Sequence, residues 1–304
     1  MMFTGSAVAM ITPFKEGNID MESFERLLDF QLQSKTQGIV VLGTTGEAST
    51  LSDQEREVVI GKAVEKINGK VPVIVGAGSN NYEKALIYSK QAKELGADGL
   101  LLVTPYYNKA TQKGLKAYYK GIATQVDLPI ILYNVPSRTN VNIEPETVEE
   151  LSKLPNIVGI KEAGGNMAQV LEIKRRVSKG FKIYSGNDDQ ILPIMASGGH
   201  GVISVVANII PNEVQELCEA TEREDLKAAV KKQIEMLPLI QQVFAEVNPI
   251  PIKAAVSLLG MGKNELRLPL TPLEEGLREG LIQEMKNYGL TLGENLQKEK
   301  RGSQ

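Results

Sequence analysis

The amino-acid sequence predicts an α/β protein with the (β/α)8 TIM-barrel fold and a C-terminal helical extension. Two observations support this prediction: short apolar runs alternate with longer segments of helical period, and eight such runs occur before the pattern becomes only helical. Strands that are apolar throughout and separated by helices are typical of parallel strands covered on both faces. A doubly wound parallel sheet is the alternative, since a strand count made from sequence can differ by one or two.

Each element has its own local signal. In the first helical segment Phe24, Leu27, Leu28 and Leu32 share one face. The predicted strands are, in chain order, 7–11, 38–42, 71–75, 99–103, 130–133, 157–161, 181–184 and 201–204.

Two helix starts have the form of a capping box. Ser52 is followed three residues later by Glu55, and Asn166 is followed at the same spacing by Gln169. In this motif the first side chain accepts from a backbone N–H of the first turn, and the second reaches back to the cap.

The chain divides into three predicted regions: a barrel with the catalytic site over 1–223, a C-terminal helical domain over 224–290, and a polar tail over 291–304. The tail is expected to be disordered or vector-derived. The helices predicted after the last strand are 212–220, 226–247, 252–259 and 273–288. The segment 248–251, with prolines at its second and fourth positions, is predicted to be a rigid hinge between two of them.

Composition excludes several classes of function. The formal charge of −3 and the lack of a dense basic cluster argue against nucleic acid as a partner. No run approaches the roughly 18 apolar residues of a membrane span, and the N-terminus does not resemble a signal peptide, so a cytoplasmic location is expected. The single cysteine, Cys218, is predicted to be structural, and the single histidine, His200, argues against a zinc site or a catalytic triad.

Lys161 ends the sixth predicted strand, which is an unusual place for a charged side chain. An amine there is partly desolvated, which disfavours its charged form, and a neutral amine can attack a carbonyl to form a Schiff base. The alternative is a lysine that extends out to solvent or pairs with Glu162. This segment alone leaves both interpretations open.

Other strand ends carry polar groups, and the ends of barrel strands are where chemistry occurs in this fold. The turn 43–46 would let the backbone and the hydroxyls of Thr44 and Thr45 approach an anion, or it is a tight turn without a ligand. Tyr133 is placed to move protons, or fills the core. Arg138 suits a substrate carboxylate; alternatively it pairs with a nearby loop carboxylate, Glu144 or Glu146.

Two glycine-rich segments imitate phosphate-binding motifs. The segment 76–81 follows a strand, opens a helix and has Asp98 at a suitable distance, but Asn81 stands where a dinucleotide fingerprint needs its third glycine. The segment 197–201 precedes the eighth strand and is predicted to end a helix rather than bind phosphate.

Three motifs together carry a family resemblance. They are Gly43-Thr44-Thr45-Gly46-Glu47, Tyr133-Asn134-Val135-Pro136 with Arg138-Thr139, and Gly159-Ile160-Lys161-Glu162. They resemble the dihydrodipicolinate synthase family of pyruvate-dependent class I aldolases, in the N-acetylneuraminate lyase superfamily. The likeness runs from Gly5 to Tyr288.

The resemblance implies a Schiff-base condensation of pyruvate with L-aspartate 4-semialdehyde, a step of diaminopimelate and lysine biosynthesis. Lys161 would form the imine, while the amides of Thr44 and Thr45 hold the pyruvate carboxylate and Gly186 and Ile203 line the pocket. Neither a metal nor an organic cofactor is implied.

The resemblance also implies a homotetramer built as a dimer of dimers. Tyr133 would be the general acid/base, linked through Thr44 to Tyr107, which the neighbouring subunit contributes. Arg138 would orient the semialdehyde carboxylate. An aldolase or lyase acting on a sugar acid is the alternative, although such relatives generally lack that arginine. Asn140 departs from the glycine usual after Arg-Thr.

Regulation is the larger departure from the family pattern. Lysine-inhibited members use a carboxylate and a histidine, where this sequence has Lys84, Arg56 and Asp53, while Asn80 and Tyr106 remain. A cation at position 84 would repel the amine of the inhibitor. Weak or absent feedback by lysine is therefore expected.

Overall fold

The computed structural model describes residues 2–293 and contains a closed barrel of eight parallel strands, in the order β1-β10-β9-β8-β7-β6-β5-β4. This confirms the predicted TIM barrel and excludes the doubly wound sheet. The barrel strands are β1 (Gly5–Ala9), β4 (Gly38–Val41), β5 (Val73–Gly76), β6 (Gly99–Val103), β7 (Ile130–Asn134), β8 (Ile157–Glu162), β9 (Lys182–Ser185) and β10 (Gly201–Ser204). A small antiparallel hairpin, β2 (Phe14–Lys15) and β3 (Asn18–Ile19), was not predicted, because strands of two residues leave no alternation to detect.

Helices cover the outside of the barrel and continue beyond it. They are α1 (Met21–Gln33), α2 (Asp53–Ile67), α3 (Tyr82–Glu94), α4 (Gln112–Ala123), α5 (Pro136–Thr139), α6 (Pro145–Leu151), α7 (Met167–Arg176), α8 (Ile191–Ala196), α9 (Pro211–Glu222), α10 (Leu226–Val243), α11 (Ile250–Leu258) and α12 (Glu275–Asn287). Helix α9, predicted as 212–220, follows β10 and is the last barrel helix. Of the predicted tail, 294–304 lies outside the described residues.

The predicted hinge at 248–251 needs correction. Ile250 and Pro251 are the first two residues of α11, where proline suits a helix start because it needs no backbone donor. Helix α10 ends at Val243 rather than at position 247. The connection between the two helices is therefore 244–249, and Asn248 in it is 8% exposed.

Of the two predicted capping boxes, one forms completely and the other forms only in part. Ser52 and Glu55 form the complete reciprocal pair. Asn166 caps α7 as predicted by accepting from the N–H of Gln169. However, the Gln169 side chain does not return to the cap, because it donates to Glu162 at 3.1 Å and to Asn142 at 3.1 Å.

The core has two layers, one between strands and helices and one inside the barrel. The inner layer contains alternate residues of the strands, because successive side chains of a strand point to opposite faces. At the N-terminal end of the barrel Phe3 stacks on Tyr184 with ring centroids 4.3 Å apart, and the Tyr184 hydroxyl donates to the Phe3 carbonyl at 2.7 Å. This end is filled by packed side chains, so a ligand has its space at the other end.

Candidate active site

Lys161 and Tyr133 are direct neighbours at the carboxyl end of the barrel. They pair in register across β7 and β8, so both side chains point to the same face, which is the barrel interior. The Lys161 Nζ atom lies 4.6 Å from the centroid of the Tyr133 ring. Lys161 is 4% exposed and Tyr133 is 7% exposed. Lys161 does not extend out to solvent, so that interpretation was wrong.

The pairing of Lys161 with Glu162 is also wrong. Glu162 points to the opposite face, where its carboxylate accepts from Asn134 Nδ2 at 3.0 Å, from the Gly164 N–H at 2.7 Å and from Gln169. Burial raises the pKa of Glu162, although these hydrogen bonds oppose the effect. The Glu162 and Asn134 side chains thus link β7 and β8 on the outer face of the barrel, at the residues that directly follow Lys161 and Tyr133.

Space around the lysine depends on Gly186. A Cβ added there would lie 3.1 Å from Lys161 Cε and 2.6 Å from the Ala163 Cβ, so a larger residue would crowd the amine. Ile203 is fully buried in the inner layer together with Tyr133. The structure therefore places Gly186 beside the lysine and Ile203 in the same layer of the barrel.

The loop that follows β4 carries Thr44 and Thr45. Its turn is closed by backbone hydrogen bonds from the Gly46 N–H to Gly43 and from the Glu47 N–H to Thr44, both 3.1 Å. Thr45 is 2% exposed, and its hydroxyl oxygen accepts from Asn248 Nδ2 at 3.0 Å. The loop is thus tied to the connection between α10 and α11.

Glu47 ends this loop in a strained conformation. Its φ of +50° is the left-handed region that ordinary side chains rarely adopt. Its side chain is almost fully buried and accepts from Lys253 at 2.5 Å and from the Arg267 backbone N–H at 3.1 Å. Burial lowers the pKa of Lys253 to about 8, against the opposing effect of Glu47. Two residues of the C-terminal region therefore hold the loop end.

Arg138 lies on α5, just after β7, and is exposed. Its Nη2 donates to the backbone carbonyl of Asn248 at 2.9 Å. Over residues 2–293 the structure has no ion pair between Arg138 and Glu144 or Glu146, so that alternative was wrong. Asn140, two residues after Arg138, has a φ of +54°. This left-handed backbone conformation suits glycine, and asparagine is one of the residues that tolerate it.

A cavity of about 640 Å³ opens beside Tyr133 and Arg138, while Lys161, Thr45, Gly186 and Ile203 are not among its lining residues. Thr44, Tyr133 and Arg138 are among its lining residues. The side chains of the predicted regulatory position also line it, namely Asp53, Arg56, Asn80, Lys84 and Tyr106.

Within the cavity, Arg56 is 3% exposed and donates to the Gly76 carbonyl at 2.8 Å. Its guanidinium stacks on the Tyr88 ring at 3.9 Å. Burial lowers the pKa of Arg56, yet an arginine stays charged.

Tyr107 lies apart from the other predicted site residues. Its side chain is 93% exposed and its φ is +70°. The loop thus holds Tyr107 away from the body of its own chain, in a conformation that costs free energy.

The comparisons decide the family. The model of the Dihydrodipicolinate synthetase family matches residues 2–288. The chain belongs to this family. A 4-hydroxy-tetrahydrodipicolinate synthase from Alkaliphilus oremlandii is 60% identical over 289 residues, covering 95% of this chain and all of the relative.

Solved structures of the dihydrodipicolinate synthetase family agree. The dihydrodipicolinate synthase from Thermotoga maritima is 45% identical with a TM-score of 0.94, covering 96% of this chain and 100% of that one. The enzyme from Acinetobacter baumannii, solved in complex with pyruvate, is 42% identical with a TM-score of 0.93, covering 95% and 99%. These matches support the resemblance that the three sequence motifs carried.

Packing explains the glycines of the segment 76–81, which imitates a dinucleotide-binding motif. A Cβ on Gly76 would lie 2.0 Å from the Leu42 carbonyl oxygen, and one on Gly78 would lie 2.5 Å from the Val103 nitrogen. Asp98 is used by the backbone, because it accepts from the Val73 N–H at 2.8 Å. The glycines therefore allow neighbouring strands and loops to approach. Ser197 ends α8, as predicted for the second motif.

Cys218 is buried and burial raises the pKa of its thiol strongly, which fits a structural residue. Among the described residues, no cluster of histidine, cysteine and carboxylate side chains is suited to a metal ion. In the same part of the chain, no helix is long and apolar enough to span a membrane.

Proposed function

We propose that this chain condenses pyruvate with L-aspartate 4-semialdehyde to give 4-hydroxy-tetrahydrodipicolinate, through an imine on Lys161. The chain is a lyase of the dihydrodipicolinate synthetase family. The observation that carries the assignment of Lys161 is its position: a nearly buried amine in register with Tyr133, at the chemically active end of the barrel.

The steps follow from the groups present. The neutral amine of Lys161 attacks the ketone carbon of pyruvate, and loss of water gives an imine. Loss of a methyl proton, passed through the Tyr133 phenol, gives an enamine whose carbon attacks the aldehyde. The amine of the aldehyde substrate then displaces the lysine and closes the ring.

Anion binding is assigned to two places. The Thr44 and Thr45 amides hold the carboxylate of pyruvate, with Gly186 and Ile203 as neighbours of the imine. The relative from Acinetobacter baumannii, solved with pyruvate, supports this substrate. Arg138 receives the carboxylate of the semialdehyde at the mouth of the cavity, because its exposed guanidinium makes one hydrogen bond among residues 2–293, to the Asn248 carbonyl, and keeps other donors for a carboxylate.

Borohydride reduction with pyruvate tests the lysine directly. A stable adduct on the peptide containing Lys161 is expected, and a Lys161→Met variant is the control that should show none. An unmodified Lys161 peptide in the native chain would refute the imine. Turnover of aspartate semialdehyde, and not of neuraminate or keto-deoxygluconate, then separates this function from a sugar-acid lyase.

We further propose that the protein assembles as a tetramer made of two dimers and that Tyr107 acts across the dimer interface, hydrogen-bonded through Thr44 to Tyr133. The exposure of Tyr107 in the single chain supports this, since the side chain is free to enter a neighbouring subunit. One solved relative is a monomeric variant, so the assembly needs its own measurement. Sedimentation gives the mass, and Tyr107→Phe should lower turnover sharply with little loss of stability.

Weak or absent inhibition by lysine is proposed from the charges of the cavity. A lysine-bound structure exists for a relative from Cyanidioschyzon merolae. Here Arg56 and Lys84 line the same cavity, and these two cations, opposed by the single carboxylate of Asp53, disfavour a ligand with an amine of its own. An inhibition constant for lysine in the submillimolar range would contradict the proposal.

A further inference from the structure

Asn248 contacts both groups to which the proposed function assigns a substrate carboxylate. Its side-chain nitrogen donates to the Thr45 hydroxyl oxygen at 3.0 Å, and its backbone carbonyl accepts from Arg138 at 2.9 Å. The residue is 8% exposed and is separated from Thr45 by 203 positions in the sequence. A contact of this kind between distant segments is specific to the folded state.

The polarity of the contact with Thr45 matters. A hydroxyl has one hydrogen to donate and can accept two. Since Asn248 Nδ2 is the donor, the Thr45 oxygen accepts and its hydrogen stays available. Among residues 2–293 that hydrogen meets no acceptor, and the Oδ1 atom of Asn248 is likewise buried without a hydrogen-bond partner.

We propose that Asn248 is a positioning residue for pyruvate: its amide fixes the direction of the Thr45 hydroxyl so that this hydroxyl donates to the pyruvate carboxylate. The inference rests on the proposed function, since it takes pyruvate as the ligand of the loop. The end of the loop is held separately, because Glu47 accepts from Lys253 and from the Arg267 N–H. The rotation of one hydroxyl is the freedom that Asn248 removes.

Asn248→Ala removes the donor and leaves the backbone contact with Arg138 in place. The half-saturating pyruvate concentration, in turnover and in borohydride trapping, should rise about tenfold, since a hydrogen bond to a charged group is weakened. The KM for the semialdehyde should stay within about twofold, because Arg138 keeps its partner. If Asn248 had only a general structural role, the half-saturating concentrations of both substrates would change by similar factors.

A double-mutant cycle with Thr45→Val gives the decisive measurement. If Asn248 acts through the hydroxyl, Asn248→Ala should add less than about a twofold effect on pyruvate once that hydroxyl is gone. The same factor in both backgrounds would overturn the proposal. Should the alanine variant not fold, Asn248→Asp serves in the cycle. It keeps the shape but accepts the Thr45 hydrogen, so it should weaken pyruvate binding strongly only while the hydroxyl is present.

The outcome is separate from that of the proposed function. A native chain that forms no borohydride adduct with pyruvate refutes the function itself. A native chain that forms the adduct, with no coupling between Asn248 and Thr45, refutes only the positioning role.

Discussion

Replacing Lys253 by methionine tests how the barrel loop is held by the C-terminal region. Lys253 and Glu47 form an ion pair whose side chains are 0% and 1% exposed. Methionine has a similar length and fills the volume of the lysine stem, so the change removes the charge with little loss of packing. The Lys253 amine also lies 4.0 Å from the centroid of the Phe14 ring, a contact that the apolar side chain can keep.

The expected cost is large because Glu47 stays behind. Its carboxylate would keep the Arg267 N–H at 3.1 Å but lose its charged partner, in a place that water does not reach. Breaking one side of a buried ion pair costs about 3–5 kcal/mol of unfolding free energy. For a chain of this size that corresponds to a fall of roughly 5–10 °C in Tm. Urea unfolding and calorimetry of the full chain measure both quantities.

The double variant Lys253→Met, Glu47→Gln is the matched control. With no charge left to bury, it should recover more than half of the lost stability, since buried pairs are often replaceable by neutral groups. A loss below about 1 kcal/mol in the single variant, or a double variant less stable than the single, would refute the reasoning.

Two further predictions concern stability. His200 accepts from the Ile183 N–H, and desolvation, with Lys182 and Lys174 nearby, lowers its pKa to about 4 from 6.5. As the pH falls, the histidine of the unfolded chain takes up a proton before that of the folded chain does. The His200 contribution to the free energy of unfolding should therefore be complete above pH 6.5 and be lost as the pH drops towards 4, by about 2 kcal/mol allowing for partial exposure. In urea unfolding across this range His200→Asn should flatten the fall, and an unchanged slope would contradict the assignment. Gly76→Ala should cost at least about 3 kcal/mol, because its Cβ meets the Leu42 carbonyl at 2.0 Å. The control Gly61→Ala, in open space on α2, should be neutral or stabilising in the same assay.

Much of the fold was readable because it depends on local pattern. Each apolar run marked a strand to within about two residues, and the alternation with helices implied parallel closure. The site was partly readable for the same reason. Lys161 and Tyr133 end neighbouring strands, and strand ends of a barrel converge whatever the loops do.

The remaining parts depend on contacts between distant residues, which leave no local trace. Glu47 looks like an ordinary loop carboxylate in sequence, and Lys253 looks like one more lysine in a helical segment. Their burial against each other appears only in the folded chain. Asn248 had a weak signal, since it stands in the proline-containing segment that the family resemblance included, but its two contacts could not be inferred from spacing.

The attachment of Glu47 also has a consequence for synthesis of the chain. Its partners lie 206 and 220 residues further on, at Lys253 and Arg267. At the usual rate of about 5–20 residues per second, a ribosome needs roughly 10–40 s to make that stretch. During this interval a nascent barrel has a loop at Thr44 and Thr45 without its support. If this loop holds pyruvate as proposed, that ability should arise late, after Lys253 and Arg267 have left the ribosome.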